Sequence, residues 1–551
     1  MQRNELSRLQ RRQWSELEND LLDELIAGRL SRRGFLRHAS VLGMTLGPLA
    51  GMLGGAHTAQ AQANGKPGGL IRAAITLPTG AIDPVTVADV GGLALLQQTG
   101  EFLVFDAPDL TLQPQLALSW KPNDKADVWT FTLRQGVKFH DGHPFTADDV
   151  VATMDRLADP ANASNALSVF KNVLSKGGTR KVDDHTVEFH LDHPVGKFPY
   201  YVSSDNYNAI ILPSNYRGDF EKTFNGTGPF KLDRYQAKAS ASFMRNPSWW
   251  GGQVMPDRTE FSFYADQQPQ ILALQGGQVD VLQQFVVQGG QALLNNRDVK
   301  VINLKSSTQR QVHMRCDQGP FTDKRVRQAL ALTLDRPALI KGLLRGAGVV
   351  GNDSPFAPIY SSTDTGVPQR KKDIAQAKAL MKAAGKENGF SVTLTTEQLM
   401  EIPDYAVVIQ NAAAQIGIKI NLKVEPQDAY YGSAAFGKSD WLDSQLGITD
   451  YGHRGTPDIF LTAPLASDGS WNAAHFKNPE YDRLATAYIA AVDLQAQREA
   501  AGKIEQLLLD ETPVIVSYFY DYLAATGPKI NGATVTGMSQ VYLQNATGGA
   551  G

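Results

Sequence analysis

Three groups of residues have the types and spacing that could do chemistry. His140 and His143 flank a glycine turn as His-Asp-Gly-His, and two imidazoles three apart could begin a metal site. No third ligand is placed by spacing, so the run reads as a turn and no metal is expected. Gly346-Ala347-Gly348-Val349-Val350-Gly351 has the form GxGxxG. A dinucleotide site needs a strand before that pattern and a helix after it. Here a helical pattern ends before it and Asn352-Asp353-Ser354-Pro355 follows, which reads as a helix C-cap and loop. The third group is the polar run Leu446 to Phe460, LGITDYGHRGTPDIF, with Trp441, Trp471 and Asn472 nearby in sequence. Each of those three could line a pocket or serve as core or loop cap. Cys316 is the single cysteine, so an intramolecular disulfide, a CxxC redox motif and a Cys-rich zinc site are excluded. There is no GxSxG, HExxH or P-loop sequence, nothing promotes a Ser/His/Asp triad, and no cofactor is expected.

The elements that must position these groups follow from periodicity. Trp129, Phe131 and Leu133 alternate with Thr130, Thr132 and Arg134, the pattern of a strand buried on one face. Thr146 caps the next helix, with Asp149 at the capping-box position, and Val150, Val151 and Met154 turn inward. Leu70 to Leu77, Val182 to Leu191 and Val514 to Tyr520 read as strands, and Gly91 to Phe105 as a helix. Thr322 is expected to cap a helix carrying Val326, Ala329, Leu330 and Leu334 inward, and Pro337 sits in the first turn of the next. Helix and strand then alternate: Asp373–Ala384, Val392–Thr396, Asp404–Ile416 and Ile418–Val424, the pattern of an α/β domain. The last ten residues are expected to fray.

The chain has 551 residues and a net charge of -3. Residues 1–63 hold eight Arg against six Asp and Glu, which leaves -5 on the rest. An acidic body argues against nucleic acid or an anionic membrane as partner. Near the N-terminus Arg32-Arg33 precedes Phe35-Leu36, and a weakly apolar stretch runs from Ala39 to Ala56, broken by Gly43, Gly47, Pro48 and Gly51. Ala59-Gln60-Ala61 and Ala61-Gln62-Ala63 are small-x-small cleavage sites. This resembles a twin-arginine export signal, so residues 1–63 are expected to be removed, with 1–29 a long leader needing no fold of its own. No cysteine stands near the cleavage site for lipid attachment. The expected product is free in a periplasm and touches the membrane only through a partner.

The run Phe131 to Val151, FTLRQGVKFHDGHPFTADDVV, resembles the signature of the family 5 extracytoplasmic solute-binding proteins of ABC importers. So do Pro114–Trp120 (PQLALSW), Gly226–Phe230 with Asn246–Trp250, Gly276–Asp280, and Phe321–Arg336 (FTDKRVRQALALTLDR). The resemblance runs from about Leu70 to Gly537. It implies a two-lobe hinged α/β fold, the type II periplasmic-binding-protein or "Venus flytrap" fold, with an extra α/β domain inserted in the first lobe. Lobe I would take 64–113, 225–312 and 511–551, the extra domain 114–224, and lobe II 313–510. In the peptide binders, a strand ending in Asp-Tyr pairs its backbone with an extended ligand while the Asp takes the ligand's α-ammonium. By that resemblance Leu446 to Thr449 form the strand, with Gly447, Ile448 and Thr449 in the candidate site, and Asp450 and Tyr451 meet the ligand. Two departures stand out: Gly447 replaces a Trp of the oligopeptide binders, and His453-Arg454-Gly455 is inserted, so Arg454 could meet a ligand carboxylate. Trp471 and Asn472 complete the candidate site. The implied role is capture of short peptides by a monomer that performs no catalysis and serves a separate permease and ATPase. The alternatives are the same role for a nickel chelate, opine or oligosaccharide, and a periplasmic hydrolase.

Overall fold

Leu70–Thr76, apolar at nearly every position, is the parallel centre of a seven-stranded sheet. It pairs in parallel with Arg258–Tyr264 and Val281–Phe285, and antiparallel strands extend the sheet on both sides. The computed structural model describes residues 15–44 and 66–549, so the cleavage sites at Ala61 and Ala63 lie outside the described residues. The chain divides into two units, unit 1 running to Phe285 and adding Gly289–Leu304 and everything from Tyr522, and unit 2 holding Val286–Gln288 and Lys305–Asp521.

Unit 1 contains that sheet and a second, antiparallel one ordered Ala117–Pro122, Val128–Leu133, Thr186–His190, Thr179–Asp183. Trp129, Phe131 and Leu133 are buried as the alternation requires. The helix Ala147–Ala158 starts at Thr146, whose N–H donates to Asp149 Oδ2 at 2.8 Å. Val182–Leu191 is not one strand. Asp183 Oδ1 accepts the His185 N–H at 2.8 Å, which turns the chain and makes a hairpin. The expected helix Gly91–Phe105 spans Val90–Thr99 and stops at Gly100, and Val104–Asp106 is a short strand. Among the described residues, which end at 549, the C-terminal segment does not fray: Val541–Tyr542 is a strand, and Leu543 and Ala546 are buried. His140 is structural, its Nε2 lying 3.0 Å from the Gly228 carbonyl, and burial pulls its pKa down to about 4. Nor is the N-terminal segment shapeless among its described residues. Glu16–Ile26 and Arg32–Val41 are helices.

Unit 2 is built on a six-stranded mixed sheet in the order Gly348–Val350, Val514–Tyr520, Gln309–Met314, Leu446–Tyr451, Phe390–Glu397, Ile418–Glu425. The helices Lys324–Leu332 and Ile402–Ala414 bury Leu330, Tyr405 and Ile409 against Leu394, Ile420 and Ile448. The first of these helices is capped by Asp323, one residue past Thr322, because Gly319–Thr322 winds as a tighter 3₁₀ turn. The GxGxxG run contains an edge strand, Gly348–Val350, and the next helix begins only at Ile374.

Candidate functional site

The strand Leu446–Tyr451 lies inside the sheet of unit 2. All six residues pair antiparallel with Gln309–Met314, while Leu446, Gly447 and Ile448 also pair in parallel with Leu394, Thr395 and Thr396. The Ile448 carbonyl accepts from Thr396 Oγ1 and Tyr430 Oη, each at 2.8 Å. Gly447 and Ile448 therefore already have backbone partners on both sides. Parallel pairing ends at Ile448; at Asp450 a side chain takes over, with Glu397 Oε1 accepting the Asp450 N–H at 3.2 Å.

Gly447 is dictated by its neighbour across the ladder. A Cβ there would stand 2.3 Å from His313 Cε1. The imidazole is fully buried, its pKa is driven down to about 3 by burial, and its Nε2 lies 3.2 Å from Ser444 Oγ.

Antiparallel register puts Arg310 directly opposite Asp450. Arg310 is sealed from solvent, and its Nη1 donates to Asp450 Oδ1 and, at 3.0 Å, to Tyr520 Oη. Nε and Nη2 grip both Glu401 oxygens at 2.8 and 3.0 Å, and the guanidinium lies 4.3 Å from the centre of the Tyr520 ring. Tyr518 Oη donates to Glu401 Oε1 at 3.0 Å, while Glu397 accepts from Tyr431 Oη and Gln427 Nε2, each at 2.7 Å. One guanidinium thus faces two carboxylates, Glu401 and Asp450, and a third, Glu397, joins the cluster through the Asp450 N–H. Burial works against the Arg310 charge, but Asp450 and Glu401 overcome it and hold the group well above its usual range. Burial lifts Asp450 to about 6 against the pull of Arg310. Glu401 responds the other way: burial would raise it, and Arg310 wins and lowers it. Of this cluster Asp450 keeps a solvent face, with 25% of its side chain exposed against 3% for Glu401.

Tyr451 anchors a small aromatic cluster, stacked on Trp471 with centroids 5.9 Å apart and packed on Phe460 at 5.7 Å. Trp471 is half-buried, and Thr449 Oγ1 lies 3.0 Å from Tyr431 Oη. Asn472 is occupied elsewhere: its amide donates to the Ala466 and Phe476 carbonyls and its oxygen accepts the Phe476 N–H, closing a turn. The Arg454 backbone is fastened through Ser307 Oγ, and its carbonyl also accepts from Tyr360 Oη at 2.9 Å. The structure therefore sets Thr449, Asp450 and Tyr451 at one end of the strand, with Trp471 stacked on Tyr451 on the face away from Asp450, and assigns Asn472 to the loop. Sequence reasoning missed Arg310, Glu397 and Glu401. The available signal was a charged residue inside the otherwise strand-like run Gln309–Met314.

Comparison with known proteins agrees with this architecture. The profile of the bacterial extracellular solute-binding proteins, family 5 middle region, matches residues 111–472. The chain is 26% identical over 452 residues to heme-binding protein A of Haemophilus influenzae, covering 76% of this chain and 81% of that protein. It is 27% identical over 411 residues to the glutathione-binding protein GsiB of Escherichia coli K12, covering 69% and 78%. The periplasmic binding protein DppA of Helicobacter pylori, solved with the peptide STSA, superposes with a TM-score of 0.73 at 21% identity, covering 88% of this chain and 99% of that one.

Proposed function

The chain belongs to the bacterial extracellular solute-binding proteins of family 5, and from that premise we propose that it captures short peptides for the permease of an ABC importer. The ATPase is a separate subunit, and this chain breaks no bonds. The observation that carries the reading is the open carboxylate of Asp450 within a cluster holding three carboxylates against one guanidinium. Arg310 neutralises part of that charge and fixes the Asp450 rotamer. The remaining negative potential faces outward through Asp450, where a peptide's α-ammonium completes the balance with a charge-assisted hydrogen bond. Tyr451 and Trp471 stack on the opposite face of the same strand, where they brace the strand end that carries Asp450. Capture between lobes that close about a hinge then presents a defined closed state to the permease. The division into two lobes and an insert, with the lobe borders moved to Lys305 and Asp521 because the strands Gln309–Met314 and Val514–Tyr520 belong to the sheet of unit 2, and export to the periplasm by a signal centred on Arg32 and Arg33 with no lipid anchor, belong to the same proposal.

A second reading, a non-peptide solute such as a nickel chelate, opine or oligosaccharide, rests on Gly447. The His313 ring fills the space where a side chain at 447 would stand, so the Trp of the oligopeptide binders has no counterpart.

Thermal shifts against pooled di- to pentapeptides with free or acetylated N-termini decide between the two. A ligand that binds only the native state stabilises it by about 2.7 kcal/mol at a hundredfold excess over Kd. A shift with free peptides that acetylation abolishes is expected. No shift with any pool, on protein stripped of carried-over ligand, overturns the peptide reading.

A further inference from the structure

The leader is packed onto unit 1. In the helix Arg32–Val41 the residues Phe35, His38, Ala39, Ser40 and Val41 are buried, while Arg32 and Arg33 in its first turn are exposed. The contacts are specific as well as apolar. Trp120 Nε1 donates to the carbonyls of Ser40 and Val41 at 3.2 and 3.1 Å, adding a side-chain donor to the helix end, where the Ser40 carbonyl already accepts the Gly43 N–H. Ser40 Oγ accepts the Leu112 N–H at 2.9 Å, and Arg37 Nε donates to the Asp109 carbonyl. Gly43, at φ +71°, lies so close to the Trp120 carbonyl that a Cβ there would be 2.2 Å from the oxygen.

The Arg37 guanidinium enters an acidic corner. Burial lowers its pKa, and Tyr200, Asp109 and Asp106 act to raise it. Asp106 is itself held well above the carboxylate range, first by burial and then by Asp205 and Asp109, with Arg37 the opposing cation. These receiving groups come from the ribbon Val104–Pro114, the strand Ala117–Pro122 and the turn at Tyr200–Asp205. They meet only when unit 1 has folded.

We propose that unit 1 carries a binding site for its own leader, residues 15–44, in which Arg37 fills the acidic corner and the Trp120 indole caps the helix, so that Arg32 and Arg33 are displayed from a fixed place on the folded protein. The docking stands on the contacts alone. Its use as a displayed export address rests on the twin-arginine reading.

Pulsed trypsin digestion of the full chain, read by mass spectrometry, tests the docking. The bond after Arg37 is expected to resist cleavage until unit 1 unfolds. Gly43→Val, which clashes with Trp120, and Ala39→Glu, which buries a charge, should each speed that cleavage roughly tenfold or more, with the global unfolding midpoint followed in parallel by circular dichroism. Equal cleavage in the original chain and both variants overturns the docked leader. The display is tested by Arg32→Lys/Arg33→Lys, which leaves the buried face intact. Export lost with Arg37 protection unchanged supports it, and export retained overturns the address while the protease result still judges the docking.

Discussion

Unit 1 and unit 2 each bury a carboxylate whose pKa is lifted by burial, and the two are built for opposite purposes. Glu101 in unit 1 is 2% exposed and pushed up to about 7. Its oxygens accept from Trp249 Nε1 at 3.0 Å and from Trp250 Nε1 and Thr227 Oγ1 at 2.7 Å. All three donors are neutral, and Arg134 reaches the group only from across the Trp250 ring, 4.1 Å from its centre. Every direction of approach is filled. Asp450 in unit 2 is paired with a cation, Arg310, and keeps a solvent edge. A carboxylate closed by neutral donors pins loops together. One that is charge-paired on its inner side and open on its outer side keeps room for a further partner.

The contrast is broken most violently at Arg310. Arg310→Met leaves Glu401 and the inner oxygen of Asp450 buried without their cation, and losing one partner of a buried pair costs about 3–5 kcal/mol. Urea unfolding should show that loss in full. A variant as stable as the original would mean that the cluster relaxes into water and is not sealed.

Glu101→Ala comes next. It orphans two indole N–H groups and a hydroxyl and should cost ~3 kcal/mol, with peptide affinity of the folded fraction unchanged. A pH series adds a signature. The folded pKa of Glu101 lies above its unfolded value, so its stabilising contribution is complete below the ordinary glutamate range and is lost as pH rises through about 7. Glu101→Gln should flatten that slope. A slope that survives the change assigns it to another group.

The sequence showed much of this frame and little of its wiring. The alternation of Trp129, Phe131 and Leu133, the Thr146 cap and the helix–strand succession from 374 to 425 are local signals, and local signals are what one chain prints. Asp450 was legible because its neighbours form a recognisable word. Arg310 was not, since only the antiparallel register between segments about 140 residues apart sets it opposite Asp450. Glu397 and Glu401 were hidden for the same reason. Asn472 misled because a polar residue beside a candidate site looks the same in sequence whether it faces a ligand or closes a turn. The helix Arg32–Val41 escaped notice because the surface it packs on lies about 80 residues downstream, at Leu112 and Trp120.

Asp450→Asn is a gentler change than either deletion, because the amide oxygen can still accept from Arg310. What it removes is the outward charge. Affinity for a free-amine peptide should fall by ~1.5 kcal/mol, the scale of one charge-assisted hydrogen bond, or about tenfold in Kd by calorimetry. Unchanged affinity removes Asp450 from the site. A fall matched by an equal fall for acetylated peptides would relocate the ammonium.

The smallest effect comes from protons. With its pKa lifted to about 6, chiefly by burial, Asp450 loses its charge in a mildly acidic medium. If the ionised form holds the ammonium, Kd should rise about twofold between pH 7 and 6 and steepen below that, following the ionised fraction. The sign separates the two carboxylates in one set of buffers. Rising pH through this range strengthens binding at Asp450, because the ligand needs its charge. The same rise weakens the fold at Glu101, because the native state there holds its proton more tightly than the unfolded chain does. Asp450→Asn should erase the first slope and leave the second. If both vanish together, binding and stability report a single titration, and the division of labour between the two units fails.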